Sequence, residues 1–142
     1  MKKTLFFLTL LISLAAMAVS AFAEPIRIDL DLTALSGTVV YSQVYDMMMR
    51  PGAYTGQRIR IKGSFTYFQD PDTRQEYFAA IIADATACCA QGIEFVWRGE
   101  HTYPRDYPPE DTEITVTGTF GTYEENGYTY IQLADADVTW EV

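Results

Sequence analysis

Short segments in which apolar and polar residues alternate fill the second half of this chain, and they constrain its fold most. Successive side chains of a β-strand point to opposite faces, so a period of two marks a strand with one buried face. The alternating segments are Arg58 to Tyr67, Gly92 to Trp97, Thr112 to Tyr123 and Tyr128 to Leu133. A fifth segment, Glu76 to Ala83, is the most apolar run of the chain and predicts a central strand. With few helical residues around them, they predict a mainly β domain, a small antiparallel barrel of five or six strands.

One short helix is predicted ahead of these strands. From Ser42 to about Met49 apolar residues recur at helical spacing, and Ser42 has the side chain of an N-terminal cap. Pro51, followed by Gly52, ends the helix. Three consecutive methionines in this segment are typical of adaptable packing against a core, rather than of a metal or cofactor site.

The connections between the strands also have informative sequences. Asn126 followed by Gly127 joins the last two segments and is a strong hairpin signal. Residues 98–111 contain three prolines and predict a loop between the third and fourth of the five strands. Residues 26–32 alternate as well and predict a strand before the helix, and we expect Val138 to Trp140 to close the sheet.

Residues 1–23 have the organisation of a secretory signal peptide. Lys2 and Lys3 precede an apolar stretch at residues 5–19, and Ala21 to Ala23 supplies a small-x-small cleavage pattern. We therefore expect a signal peptide at 1–23 and a single domain at 24–142, exported to the periplasm or the extracellular space. The alternative is an uncleaved anchor, but the apolar stretch is shorter than the roughly 20 residues of a membrane-spanning helix.

The charge of the chain excludes one class of partner. Lysine and arginine number 10 against 19 aspartates and glutamates, a formal charge of −9. Removal of residues 1–23 takes away two lysines and no acid, so the exported domain has a charge of −11. Lysine and arginine supply most of the affinity for phosphate backbones and for anionic membrane surfaces. Nucleic acid and anionic membrane surfaces are therefore not expected partners. We also expect no stable membrane insertion once the signal peptide is cleaved.

Two phrases carry a resemblance to known proteins: P-G-A-Y-T-G-Q-R-I-R-I-K-G at residues 51–63 and I-T-V-T-G-T-F at 114–120. They resemble the first strand and the last hairpin of OB-fold domains, which implies an OB-like barrel over about residues 51–140. The proline-rich loop replaces the helix that OB folds usually have there. The chain also resembles an uncharacterised group of small exported bacterial proteins and lipoproteins with a Cys-Cys between the second and third strands, here within residues 82–95; this group implies no activity.

Cys88 and Cys89 are adjacent, which is rare. Adjacent Cα atoms lie about 3.8 Å apart, below the roughly 4.4–6.8 Å of ordinary disulfides, so the pair does not cross-link the fold. Three interpretations stay open. In the first, one cysteine is buried as a small apolar residue and the other lies at a turn. In the second, the pair takes part in thiol redox chemistry, and in the third it binds a zinc-type metal with one or two further ligands. The nearest further ligands in sequence are Asp84, Glu94, Glu100 and His101.

Aromatic residues are the candidate ligand-binding groups. Tyrosine and tryptophan have an apolar body and a polar tip, which suits sugar, peptide or protein surfaces, although aromatic pairs also stabilise small barrels from within. Tyr103 and Tyr107 lie among the three prolines of the predicted loop, and Trp97 precedes it. We predict these three as ligand-binding residues.

No arrangement of residues typical of catalysis stands out in the sequence. His101 is the single histidine, and there is no phosphate-binding loop or metalloprotease motif. We therefore expect an exported, non-catalytic binding module of the bacterial envelope without a cofactor, whose ligand is a protein, a small molecule or a glycan. The alternative is a zinc-binding or thiol-redox protein that uses Cys88 and Cys89, with His101 as a metal ligand.

Overall fold

The computed structural model describes residues 27–84, 86 and 89–141. It is mainly β, as predicted, with one α-helix. The helix α1 is Gly37–Met49, and a 3-10 turn follows at Pro51–Ala53. The six strands are β1 Leu30–Asp31, β2 Arg58–Gln69, β3 Glu76–Ala83, β4 Ala90–Trp97, β5 Glu113–Glu125 and β6 Tyr128–Trp140. The predicted signal peptide lies outside the described residues.

Five of the strands form a closed ring of hydrogen-bonded pairs. β2 pairs with β3, β3 with β4, β4 with β6, β6 with β5, and β5 again with β2. The prediction of a purely antiparallel sheet is wrong, because β4 and β6 are parallel, as are β1 and β2. The parallel pair β4–β6 follows from the number of strands in the ring. Strand direction cannot alternate all the way around a ring of five strands, so at least one neighbouring pair must be parallel.

The alternation along the strands places one face of each strand in a common core. In β2, for example, Ile59, Ile61 and Phe65 are fully buried, and the residues between them are more exposed. The helix adds three side chains to this core. The remaining core residues are Leu32, Val40, Val44, Met47, Ala80, Ile82, Ile93, Phe95, Ile114, Val116, Phe120, Ile131, Leu133, Ala136 and Val138.

The helix begins five residues earlier than the sequence indicates. Ser36 occupies the N-terminal cap position, and its carbonyl oxygen accepts hydrogen bonds from the amides of Val39 and Val40. Ser42 lies inside the helix, where its hydroxyl donates to the carbonyl oxygen of Thr38 instead of capping. Of the three methionines only Met47 is buried, so the predicted packing role applies to one of them.

Two glycines allow strands to approach each other closely. At Gly63 the pairing of β2 passes from β5 to β3, and a Cβ there would lie 2.8 Å from the carbonyl oxygen of Ile81. Gly118 lies at a register shift between β5 and β6, where a Cβ would lie 2.9 Å from that of Leu133. Both contacts are shorter than an ordinary van der Waals contact, so a larger residue at either position would have to displace its neighbours.

The β5–β6 hairpin extends beyond the ring. Pairing of β5 with β2 ends at Thr119, whereas its pairing with β6 continues to Glu125. The connecting Asn126 and Gly127 have φ of +51° and +83°, which confirms the turn that their sequence predicts. The end of the hairpin is therefore available to cover another part of the sheet.

Candidate functional site

The end of the β5–β6 hairpin and the outer face of β3 and β4 together form a cleft. Because Phe78 of β3 and Phe95 of β4 pack on the core, Tyr77 and Glu94 point outward. The cleft has a volume of about 540 Å³ and continues into a second depression of about 270 Å³. Four residues line both parts: Tyr77, Glu94, Tyr123 and Glu125. We call this site the β3–β4 cleft.

Hydrogen bonds between tyrosine and glutamate connect its two walls. The hydroxyl of Tyr123, from the hairpin, donates to Oε2 of Glu94 at 2.6 Å. The second connection has its donor on the sheet and its acceptor on the hairpin. The Tyr77 hydroxyl of β3 lies 2.7 and 2.8 Å from the two carboxylate oxygens of Glu125. The ring of Tyr123 also stacks on Tyr130 at 5.4 Å. These contacts fix the hairpin relative to the sheet, and so define the shape of the cleft.

The cleft is acidic and partly withdrawn from water. Burial raises the pKa of Glu94, although the hydrogen bond from Tyr123 opposes the shift. Burial, together with that same hydrogen bond, raises the pKa of Tyr123. The carboxylate of Glu125 raises the pKa of Tyr77 to about 12. Both hydroxyls therefore stay protonated at neutral pH, as hydrogen-bond donors to the carboxylates.

Glu94→Gln is expected to leave the protein at least as stable as the wild type at neutral pH. Because the pKa of Glu94 is raised in the fold, the folded protein binds this proton more tightly than the unfolded chain does, and wild-type stability falls as the pH rises through the raised pKa. Glutamine has no such dependence, and its carbonyl oxygen still accepts from Tyr123. Urea unfolding at about pH 4 and at about pH 7 measures this difference. From the lower to the higher pH, the free energy of unfolding of the wild type should fall relative to that of the variant.

Glu110→Gln is the matched control for this prediction, because it makes the same change on an exposed loop carboxylate. Its free energy of unfolding should follow that of the wild type at both pH values. A Glu94→Gln variant that is clearly less stable than the wild type at about pH 7 would contradict the prediction.

The predicted ligand-binding aromatics lie together at one end of the ring. Tyr107 stacks on Phe78 at 4.2 Å between ring centroids, and Tyr103 stacks on Tyr67 at 3.8 Å. Trp97, Tyr103 and Tyr107 all pack against the core. The structure thus shows a packing role for the loop tyrosines. Trp97 and Tyr107 also line the β3–β4 cleft, whereas Tyr103 does not, and ligand contact stays a prediction for all three.

Of the residues predicted as metal ligands, the structure describes Cys89 and His101, and it does not bring these two together. Cys89 immediately precedes β4 and is exposed, whereas His101 follows its far end, and a strand of eight residues spans roughly 26 Å. His101 stacks on Trp97 at 3.7 Å, with Nε2 3.0 Å from the carbonyl oxygen of Arg98. Cys88 lies outside the described residues. Within the described part, no group of three or more His, Cys, Asp or Glu side chains is placed to hold a metal ion.

The sequence predicted Trp97 and Tyr107 of the cleft as ligand-binding residues but missed the role of the four residues that line both of its parts. It singled out Glu94 only as a possible metal ligand and did not identify Tyr77, Tyr123 or Glu125 as site residues. The alternation in β4 already indicates that Glu94 faces outward, whereas β3 is apolar on both sides and its sequence does not show which way Tyr77 points. The missing information is that the hairpin bends over this face, which depends on how the ring closes.

No family model matches the chain, and no curated protein matches it at a significant level. In the described part of the chain, no helix is long and apolar enough to cross a membrane.

Proposed function

We propose that this chain is an exported, non-catalytic binding module of the bacterial cell envelope, built on an OB-like barrel, and that the β3–β4 cleft is its ligand site. The observation that carries the proposal is the cleft itself. It is a concave site with aromatic walls and a few converging polar groups, which is the usual composition of a ligand pocket.

The order of the strands supports the OB-like barrel. Numbered within the ring alone, β2 to β6 are the first to fifth strands, and their order around the ring is first, second, third, fifth, fourth. OB folds are five-stranded Greek-key barrels that bind ligands on the face of the second and third strands, between the loops after the first and fourth. In this chain that face belongs to β3 and β4, and the loop after the fourth strand is the tip of the β5–β6 hairpin.

The chemistry of the cleft supports a ligand other than nucleic acid. Three carboxylates line its main part, those of Glu76, Glu94 and Glu125. Among the described residues that line it there is no lysine or arginine. Phosphates would be repelled here. Tyrosine rings with polar tips instead suit a protein surface, a small molecule or a glycan.

Screening the purified protein against a glycan array and against envelope extracts tests this function. The protein is expressed with its own N-terminus, and a Tyr123→Phe variant, which keeps the ring and loses the hydroxyl bonded to Glu94, is screened beside it. A retained ligand should shift the backbone NMR signals of Tyr77, Glu94 and Tyr123. Signals of Lys62 and Thr115, from a separate depression, serve as the control.

Tyr123→Phe removes the hydrogen bond that connects the hairpin wall of the cleft to Glu94, so the affinity of a retained ligand should fall, by up to about tenfold. Shifts confined to Lys62 and Thr115 would place the ligand elsewhere and contradict the assignment of the site. The binding function itself is overturned if no ligand is retained and the protein turns over substrates from a broad hydrolase panel.

A further inference from the structure

The β3–β4 cleft is part of a longer groove. A third depression, of about 580 Å³, lies beside it, between the end of α1, β4 and β6. Glu94 lines all three depressions, and Tyr130 lines two of them. The groove thus runs from Met48 and Met49 at the end of the helix, past Glu94, to Trp97 at the end of β4. Several neighbouring depressions on one surface suit a ligand with several side groups.

The charge along this groove has one sign. Four carboxylates line it, those of Asp70, Glu76, Glu94 and Glu125. No lysine or arginine is among the described residues of its lining. The described residues form seven ion pairs, and none of them involves any of these four carboxylates. The complementary ligand is therefore a cation.

The flanks of the groove are apolar and accessible. Met49 is 63% exposed and Met48 is 42% exposed, at the end of a helix whose other apolar residue in this turn, Met47, is fully buried. Phe68 and Tyr130 expose their rings on the other side of Glu94. Methionine side chains adapt to varied apolar partners, and tyrosine faces attract cations. Apolar contacts on both sides of an acidic centre match a chain of amino acids better than a bare amine.

We propose that this groove binds an extended segment of a partner polypeptide, with a lysine or arginine side chain of the segment paired to Glu94 and neighbouring apolar side chains on Met48 and Met49. The inference rests on the proposed binding function and adds the class of ligand. A basic side chain reaching Glu94 also lies beside the rings of Tyr123 and Tyr130, whose faces favour a cation.

The raised pKa of Glu94 is consistent with this pairing. In the unliganded protein the carboxylate is partly buried with a tyrosine hydroxyl as its hydrogen-bond donor and, in the described structure, no ion-pair partner. A bound cation would favour the charged form of Glu94 and offset the free-energy cost of keeping that charge partly buried. Binding should therefore weaken as the pH falls and Glu94 becomes protonated.

Fluorescence anisotropy with a defined peptide tests the proposal. The probe is a decapeptide with three lysines and two leucines among serines and glycines, labelled with a neutral dye. The comparison peptide has glutamine in place of every lysine. Both are titrated with the wild-type protein, with Glu94→Gln and with the control Glu110→Gln, in low salt. Unlabelled spermidine and a chitin tetrasaccharide are added as competitors.

We expect the lysine peptide to bind at least about tenfold more tightly than the glutamine peptide, as a charge-assisted contact allows. Glu94→Gln should remove most of that difference, and Glu110→Gln should change the affinity less than about twofold. Because Glu94→Gln is expected to be at least as stable as the wild type, its loss of binding would not reflect unfolding. Met49→Ser should weaken both peptides, since it removes an apolar contact and no charge.

The other outcomes overturn the proposal in distinguishable ways. If the two peptides bind equally, or if Glu94→Gln binds the lysine peptide as the wild type does, the cation pairing is wrong. If spermidine binds at the groove as tightly as the lysine peptide does, the occupant is a small amine and the assignment of a polypeptide ligand is wrong. If the tetrasaccharide binds at the cleft and neither peptide does, the proposed function stands without this inference. If no probe perturbs the cleft, the inference fails, and the proposed function fails with it when no ligand is retained in the screens and the hydrolase panel shows turnover.

Discussion

Phe65→Ala is expected to lower the free energy of unfolding by about 3–5 kcal/mol, the usual cost of truncating a buried phenylalanine. Phe65 is fully buried in β2, with its ring centroid within 6.4 Å of those of Phe78, Phe95 and Tyr107. Alanine would leave a cavity between three strands and the proline-rich loop. Urea unfolding followed by far-UV circular dichroism measures the loss, and Tm should fall by at least about 10 °C.

Phe68→Ala is the matched control on the same strand. Phe68 is 58% exposed, and its ring contact is with Tyr77 at 6.1 Å, so its truncation should cost less than about 1 kcal/mol. Equal losses for Phe65→Ala and Phe68→Ala would contradict the assignment of which face of β2 is buried.

Gly118→Ala is expected to lower the free energy of unfolding by about 1–3 kcal/mol, the usual cost of overpacking. The added methyl group would lie 2.9 Å from Cβ of Leu133, 3.0 Å from the carbonyl oxygen of Ala134 and 3.2 Å from Cβ of Ala136. Two of these atoms are in side chains with no freedom to move aside, and the third is backbone. The loss should appear as a lower urea midpoint with an unchanged m-value.

Gly121→Ala tests the same substitution three residues along β5. Beyond the adjacent residues of the chain, no atom lies within 4 Å of the added methyl group. Alanine there is therefore expected to be neutral or to stabilise the fold by up to about 1 kcal/mol, through the lower entropy of its unfolded chain. If Gly118→Ala proves as harmless as Gly121→Ala, β5 and β6 do not approach each other as closely at the register shift as the structure has them.

Local patterns predicted most of the elements because each pattern reports its own strand or turn. The alternation from Arg58 onward and the Asn126 turn predicted the strands and the hairpin. The start of α1 was missed because Gly37, Thr38 and Val39 are poor helix formers. Burial of Val40 against the core outweighs that low propensity, and such a tertiary contact is not visible in a local pattern.

The parallel pairing and the cleft could not be predicted in this way. Both depend on which strands become neighbours when the ring closes, and β4 and β6 are separated in the chain by a loop and by β5. The loop tyrosines show the same limit. Tyr103 and Tyr107 stand among prolines, which indicated an exposed surface, yet they pack on Tyr67 and Phe78, from two other strands.

The parallel pairing of β4 with β6 also connects folding with ligand binding. It joins Glu94 to Gln132, 38 positions apart, so it requires a long loop to close and belongs to the slower events of folding. The same step brings the hairpin over β4 and creates the contact between Tyr123 and Glu94. A ligand that touches both walls therefore binds the closed ring in preference to any open form. By mass action it shifts the folding equilibrium, so protection of the β4 and β6 amides from hydrogen exchange becomes a measure of occupancy.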